Sequence, residues 1–366
     1  MQRIKFLMVG GFLGAGKTTT IARLAAHYQT QGKSVGIVTN DQAYDLVDTH
    51  TLRAKGFTVG EVPGACFCCK FDDLITTVTS ISEDKLPDIV IAEPVGSCTD
   101  LYATVIQPMR QLFGERFELG PLIVLLKPGH GKKILGATGG RGFSPQAEYI
   151  FLKQLEEADA IVVNKIDKLS EQDQQDLLSL IKERFKDVQC FGVSAKDGAN
   201  FEKFVEVADQ MTHREKPAME MDYETYAAGE AELGWLNCQV AAESTDKFEL
   251  DALVLDLTSR IGNRLTEQGF EIAHLKVLGQ TIENAAVANR VSSSSEAELS
   301  LASDIKTTKA DLLVNARVAA DPEAMVDIVN VAAKQVEGEF QVELEVKNVQ
   351  SFRPAKPEPT HRITKD

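Results

Sequence analysis

Gly10-Gly11-Phe12-Leu13-Gly14-Ala15-Gly16-Lys17-Thr18-Thr19-Thr20 decides how this chain is read. An apolar run precedes it (residues 4–9), and residues of helical spacing follow it (21–26). From Gly11 onward it fits G-x-x-x-x-G-K-[ST], the phosphate-cradling P-loop, in the strand-loop-helix setting that the motif requires. The glycines let backbone N–H groups turn inward around a phosphate, and a helix N-terminus adds positive potential. Lys17 then reaches the β/γ-phosphates and the Thr18 hydroxyl ligates Mg²⁺. The stretch predicts a nucleotide-binding chain.

Outward from this loop, apolar runs of strand length recur at 34–39, 58–62, 88–92, 122–126, 160–163 and 188–193. Segments of helical spacing separate them, for example 18–28, 170–185 and 201–211. Unbroken apolar strands alternating with helices predict an α/β fold, a mostly parallel P-loop NTPase sheet with helices on both faces. Ligands of such sheets sit beyond the carboxyl ends of the strands, where the motifs below all fall. The stretch 127–142 (KPGHGKKILGATGGRG) is glycine-rich and basic, and is expected to be a mobile surface loop.

From 213 to 232 the periodicity fails and the text is polar, as in a linker. Beyond it come a strand (234–242), a helix (247–267), strands (271–277 and 310–318), a helix (322–336) and a strand (341–349). This β-α-β-β-α-β order predicts a smaller ferredoxin-like α+β domain. The expected division is therefore 1–212, a linker at 213–232, 233–352, and a tail at 353–366. The three prolines of that tail suit an extended or disordered segment.

A formal net charge of −15 over 366 residues argues against non-specific nucleic-acid or anionic-membrane binding, both surfaces being negative themselves. No run approaches the ~18 apolar residues of a membrane span. The apolar N-terminal stretch dissolves into the P-loop, so a buried first strand is expected rather than a signal peptide. Six cysteines are too sparse for a disulfide framework, which implies a reducing compartment and a cytoplasmic protein.

Asn164-Lys165-Ile166-Asp167 follows the run 160–163. A carboxylate at Asp167 can accept hydrogen bonds from guanine N1–H and its amino group, which adenine lacks. A site built to bond a missing group rejects the analogue strongly. The Lys165 stem lies along the base in this reading, and Asn164 ties the loop to the P-loop. Ser194-Ala195-Lys196, after the next strand, suits backbone contact with guanine O6. The expected nucleotide is GTP.

Thr39-Asn40-Asp41 closes the second strand, where Asp41 can join Thr18 in binding Mg²⁺, an ion that prefers oxygen ligands. Asp45 and Asp48 follow closely and can share that duty. Glu93-Pro94-Val95-Gly96 ends the run 88–92. Glu93 there can hold the Mg²⁺ shell or orient the attacking water, and the Gly96 N–H can sense a γ-phosphate.

Cys66-Phe67-Cys68-Cys69 packs half of the chain's cysteines into four residues. Thiolates sharing one tetrahedral Zn²⁺ at about 2.3 Å lie about 3.7 Å apart. Alternate side chains of an extended strand are ~6.5 Å apart, so the segment must turn in order to chelate. A helix start just beyond it also lowers thiol pKa values. Three sulfurs leave a fourth position open, which suits transfer better than permanent structure. Cys98, just past Gly96, can approach the same region, while Cys190 and Cys238 read as core.

Together, the P-loop, T-N-D, C-x-C-C, E-x-x-G and N-K-x-D resemble the CobW/UreG/HypB family of metallochaperone GTPases, SIMIBI-class P-loop proteins, with CobW-type members nearest through C-x-C-C. The resemblance implies a slow GTPase that binds a transition metal (Zn²⁺, Co²⁺ or Ni²⁺) at Cys66, Cys68 and Cys69 and couples hydrolysis to delivery into a client metalloprotein or cofactor-assembly partner. It implies a nucleotide site of Gly11, Gly14, Ala15, Gly16, Lys17, Thr18 and Thr19 with Asn164, Lys165, Asp167, Ser194, Ala195 and Lys196. Lys17, Asp41, Glu93 and Gly96 are the expected catalytic set, and relatives of this kind often dimerise. Ala65 stands where a glycine is usual, Pro94 lies inside E-x-x-G, and no His-rich tract occurs. Arg141 is the one candidate for an arginine finger. The competing reading is a nucleotide-gated interaction protein whose cysteines are structural; a small-molecule kinase is disfavoured by N-K-x-D.

Overall fold

Strands buried on both faces need apolar residues at every position, and the unbroken runs of the sequence become such strands. The structure, a computed structural model, describes residues 3–42, 47–81, 86–136, 144–213 and 215–364. It runs β1 (Ile4–Gly11), α1 (Lys17–Thr30), β2 (Val35–Asp41), α2 (Val47–Ala54), β3 (Thr58–Pro63), α3 (Phe71–Ser80) and β4 (Ile89–Glu93). A π-helical turn (Tyr102–Ile106) leads into α4 (Gln107–Phe113), β5 (Phe117–Leu126), α5 (Pro128–Leu135), α6 (Pro145–Glu156) and β6 (Ala160–Val163). After these come α7 (Glu171–Arg184), β7 (Gln189–Gly192), α8 (Phe201–Gln210) and α9 (Tyr223–Ala231). The remainder is β8 (Gly234–Glu249), α10 (Leu250–Glu267), β9 (Ile272–Gln280), β10 (Ala285–Arg290), β11 (Glu298–Leu301), β12 (Lys306–Val318), α11 (Pro322–Phe340) and β13 (Glu343–Phe352).

Two units divide the chain. The first holds β1–β7 with their helices other than α2, and takes back the C-terminal residues from Lys356; the second holds α2 and residues 230–355. In the first unit the strands form a parallel sheet in the order β3-β2-β4-β1-β5-β6-β7. Register brings distant motifs to one edge: Thr39 pairs with Glu93, Gly11 with Leu125, and Val163 with both Leu126 and Gly192. Helix α1 turns a stripe of Ile21, Leu24, Ala25 and Tyr28 to the core, and its first turn carries no acidic residue. Full burial of such a side chain contributes roughly 1.5–3 kcal/mol.

The second unit is a six-stranded sheet, β11-β10-β9-β12-β8-β13, with antiparallel neighbours. Leu253, Val254, Leu257, Ile261 and Leu265 of α10 share one core with Met325, Ile328, Val329, Ala332 and Val336 of α11. The four strands β13-β8-β12-β9 have the expected ferredoxin-like order. β10 and β11 extend it past β9 as an inserted hairpin, whose short polar-interrupted runs (Asn289, Ser300) carry no clear apolar period. Val47 of α2 packs with Leu278, Val287 and Leu313, and Lys276 pairs with Asp48. Asp48, which the sequence also offered as a Mg²⁺ ligand, faces that lysine within the second unit.

Two expectations about local structure are corrected. The first half of the glycine-rich stretch is helix α5, started by Pro128 and buried through His130 and Ile134; residues 137–142, with Arg141, lie outside the described residues, as does Asp45. The polar stretch 213–232 contains α9, where Tyr226 is fully buried and its hydroxyl accepts the Thr99 N–H at 3.3 Å. The proline-containing tail is extended but bonded along its length, as described below. Polar sequence marks neither segment as loose, because both are held by hydrogen bonds rather than by an apolar stripe.

Candidate nucleotide and metal site

The P-loop follows the central strand β1. Gly16 caps α1 in the left-handed region (φ 91°), and a Cβ there would lie 2.4 Å from Asn164 Nδ2, so only glycine fits. Lys17 Nζ donates to the Gly11 carbonyl at 3.0 Å, across the mouth of the loop. The Thr18 hydroxyl donates to Glu93 Oε1 at 3.1 Å, so a hydroxyl and a buried carboxylate meet beneath the phosphate loop. Asp41 ends β2 opposite Pro63, and Gly96 approaches Lys17 so closely that a Cβ on it would lie 3.1 Å from Nζ. His130 stands edge-on to Phe12 at 5.5 Å; burial, then the charges of Lys127, Lys133 and Lys165, hold its pKa well below the usual value.

At the other end of the loop, Asn164 Nδ2 donates to Ala15 O at 2.8 Å, and Asn164 Oδ1 accepts from Lys165 N (2.8 Å) and Ala195 N (3.0 Å). Ser194 Oγ donates to Asp167 Oδ1 at 2.8 Å, orienting that carboxylate. The structure therefore brings Ala15, Asn164, Lys165, Asp167, Ser194 and Ala195 together. Sequence reading missed Arg23, which fastens the last loop to α1 through Ala195 O and Lys196 O, both at 2.8 Å. Its position on α1 away from the apolar stripe was the only signal.

The segment from β3 to α3 turns as chelation demands: Gly64 takes φ 89°, and Cys69 N and Lys70 N both donate to Cys66 O at 3.0 Å. The sulfurs lie 2.6 Å (Cys66–Cys68), 3.3 Å (Cys66–Cys69) and 3.7 Å (Cys68–Cys69) apart, and no disulfide joins them. Two of the three distances are near the ~3.7 Å of a tetrahedral tri-thiolate site, and the closest pair opens by about 1 Å to reach it. The donor set thus fits a thiophilic ion as cargo.

The protonation pattern differs from the expectation of ready thiolates. Hydrogen bonds from Cys68, Cys69 and Cys98 outweigh burial and hold Cys66 well below the usual thiol range. Bonding to Cys66, joined by Cys69 and burial, raises Cys68 well above it, and Cys69 is pushed up to about 12, first by its bond to Cys66. One sulfur bears the charge while its neighbours donate to it, because adjacent like charges disfavour a second ionisation.

Two further groups hold this loop. Asn40, the middle residue of T-N-D, donates to Val62 O and Ala65 O at 2.7 Å each and accepts the Phe67 N–H at 2.8 Å. The C-terminal tail supplies the other. Glu358 N–H donates to Cys69 Sγ at 3.3 Å, and Thr360 binds Cys68 O through its N–H (2.8 Å) and Cys69 O through its hydroxyl (3.1 Å). His361 stands edge-on to Phe71, Arg362 pairs with Asp100 at 2.7 Å, and Ile363 N–H reaches Ala103 O at 2.8 Å. Asn40 was named in the sequence only as a neighbour of Asp41, and nothing in the tail's composition pointed to the cysteines.

A phosphate-binding loop, a guanine-type N-K-x-D loop and a tri-cysteine cluster on one edge of a parallel sheet define a P-loop nucleotide-binding protein equipped for a soft metal. The chain matches the family model "CobW/HypB/UreG, nucleotide-binding domain" over residues 5–191, and it belongs to that family of P-loop GTPases. It is 28% identical over 177 residues to the zinc chaperone YeiR of Escherichia coli strain K12 (46% of this chain, 49% of that one). It is 34% identical over 102 residues to the zinc chaperone CobW of a Sinorhizobium species (26% of this chain, 28% of that one). The chain thus spans about half or less of the curated relatives it matches. Among solved structures, HypB from Helicobacter pylori in complex with nickel aligns with a TM-score of 0.41 at 18% identity, over 59% of this chain and 92% of that one. No helix among the described residues is long and apolar enough to cross a membrane.

Proposed function

We propose that the protein is a GTP-hydrolysing metallochaperone: it binds a transition metal as cargo at Cys66, Cys68 and Cys69 and couples GTP turnover to its delivery to a client metalloprotein. The observation that carries this reading is the convergence of three sulfurs within 4.8 Å of one another on the same strand edge as the P-loop. Zinc is the first candidate cargo, since two relatives are named zinc chaperones.

The chemistry assigns each group a task. Backbone N–H groups of Gly14, Ala15 and Gly16 and the first turn of α1, with Thr19, cradle the phosphates, and Lys17 swings from Gly11 O to the γ-phosphate oxygens. Thr18, Asp41 and Glu93 offer the oxygen donors that suit Mg²⁺, which when bound neutralises charge on the β- and γ-phosphates. Glu93 also orients the attacking water, and the Gly96 N–H responds to the γ-phosphate. Asp167 accepts the guanine N–H groups and is held in place by Ser194, while Lys165 lies along the base and the Ala195–Lys196 backbone meets O6.

The test is Zn²⁺ affinity of the full chain with Mg²⁺ and a non-hydrolysable GTP analogue, and again with GDP. The expected result is at least tenfold tighter binding in the triphosphate state, about 1.4 kcal/mol of coupling. Equal affinity in both states removes the coupling and leaves a binding protein with structural cysteines.

A further inference from the structure

Of the three clustered sulfurs, Cys66 and Cys68 are buried, at 2% and 1% exposure, and Cys69 alone is half-buried. An ion, or a ligand competing for it, therefore reaches the cluster from the Cys69 side. Residues 356–364 of the tail lie across that side, within the first unit. The segment is extended, with Pro357 buried and Pro359, His361 and Ile363 half-buried in alternation with exposed residues. Its two prolines fix φ and lower the entropy lost when it lies down. Over the sulfurs the hold is light: Glu358 N–H donates to Cys69 Sγ at 3.3 Å, and Thr360 donates to Cys68 O (2.8 Å) and Cys69 O (3.1 Å). Beyond them the hold is strong. Arg362 Nε donates at 2.7 Å to Asp100, which sits at φ 63° with its side chain 1% exposed. The Tyr223 hydroxyl donates to the same carboxylate oxygen at 2.8 Å, and Asp100 Oδ1 has no hydrogen-bond partner among the described residues. A buried carboxylate is costly unless a cation pairs with it, so Arg362 is the anchor of the segment.

We infer that residues 356–364 are a strap that gates metal exchange: closed, it covers Cys69 and retains the cargo, and lifted at 358–360 it opens the cluster to an incoming ion or to an acceptor's ligands. The inference rests on the metal-carrying reading above and adds a control on it. Lifting breaks the three bonds made by Glu358 and Thr360, each of modest net strength, while Arg362 keeps the segment tethered for reclosing. The strap meets the cysteine loop through N–H and hydroxyl donors, which do not ligate a cation. It therefore makes no contact that favours the loaded loop over the empty one, and cannot shift the binding equilibrium. What it sets is the rate. A closed strap stands in the way of uptake and release alike, so weakening it speeds both by one factor and leaves the affinity where it was.

The experiment is stopped-flow kinetics on the full chain: uptake of Zn²⁺ by the empty protein, and its release to an excess of a chromophoric chelator, with the equilibrium affinity measured alongside. Arg362→Ala removes the anchor. Thr360→Pro removes both Thr360 bonds while keeping the extended backbone and the Arg362–Asp100 pair, so it tests the strap without unpairing a buried charge. Each variant is expected to quicken uptake and release alike by roughly tenfold, the worth of one charged or two neutral hydrogen bonds, with the affinity unchanged. Exchange as slow in both variants as in the unaltered chain overturns the strap. So does faster release with weaker affinity and unchanged uptake, the mark of a tail that merely supports the ligands. Either result leaves the metal-carrying reading standing, whereas failure of the unaltered chain to retain Zn²⁺ at all overturns both.

Discussion

The N-K-x-D end and the sulfur end of the first unit are built on opposite plans. At the N-K-x-D end the motif residues hold one another: Asn164 bonds Ala15 and Ala195, and Ser194 bonds Asp167. At the sulfur end the cysteines are fixed by strangers, Asn40 from β2 and residues 358–360 of the tail. Under the proposed function, a site that recognises one base every cycle gains from ties that never break. Under the same proposal, a site that releases its cargo gains from a frame made of separate segments, each displaceable for the strength of a few hydrogen bonds.

Lys17→Ala strikes the element that serves both ends and should have the largest effect. GTP turnover, followed by phosphate release, is expected to fall by about a thousandfold, as loss of a charged transition-state contact does. Undiminished turnover would remove the P-loop from the mechanism. Asn40→Ala separates the ends. It leaves the buried Val62 carbonyl, the part-buried Ala65 carbonyl and the Phe67 N–H without that partner, so the cysteine loop should lose order. Zn²⁺ affinity is expected to drop by roughly 10- to 100-fold, the usual cost of removing a group that orients metal ligands, with GTP affinity little changed. An equal loss at both ends would mean that the two are one cooperative body.

The same contrast explains what was legible in the sequence. The parallel sheet was readable because both-sides burial forces continuous apolar runs, and the tie of Asn164 to the P-loop because its partners are themselves motif residues at fixed spacing. The ferredoxin-like core followed from the 3.6-residue stripes of α10 and α11. The second role of Asn40 was hidden, since its bonds reach carbonyls, which leave no trace in side-chain identity. The tail was hidden for the same reason: Glu358 and Thr360 meet the cysteines through backbone N–H groups that any residue but proline supplies. Helices α5 and α9 are masked by glycine-rich and acidic composition, because few of their positions, Ile134 and Tyr226 among them, are buried apolar or aromatic residues.

Protonation sharpens the comparison next. Glu157 caps α6 and accepts from Thr99 Oγ1 (3.0 Å) and Tyr102 N–H (3.1 Å), so it supports the far side of the loop that carries Cys98. Burial is the main cause that raises its pKa from 4.5 to about 8, with the charge of Asp100 adding to it against those hydrogen bonds. The folded state therefore keeps a proton that the unfolded state has released. Its stabilisation is complete below pH 4.5 and is lost as pH rises through about 8. Glu157→Gln stays neutral throughout, so its thermal midpoint relative to the unaltered chain should climb between pH 5.5 and 8, by an amount equivalent to roughly 1–2 kcal/mol. Parallel pH curves would show that Glu157 ionises freely and does not burden this loop.

The smallest expected effect tests the tail alone. Thr360 Oγ1 donates to Cys69 O at 3.1 Å in an exposed setting, while its backbone N–H bond to Cys68 O survives any side-chain change. Thr360→Ala should therefore loosen the tail without detaching it. An exposed hydrogen bond of this kind contributes about 0.5–1 kcal/mol net, so the tail should open two- to fivefold more often. Cys69 is half-buried and receives the Glu358 N–H, so its alkylation by iodoacetamide should quicken by that factor, with GTP turnover unchanged. If Cys69 reacts no faster than in the unaltered chain, both in Thr360→Ala and in a chain ending at residue 355, the tail does not cover the sulfur. The frame of the cysteine loop then rests on Asn40 and not on the tail.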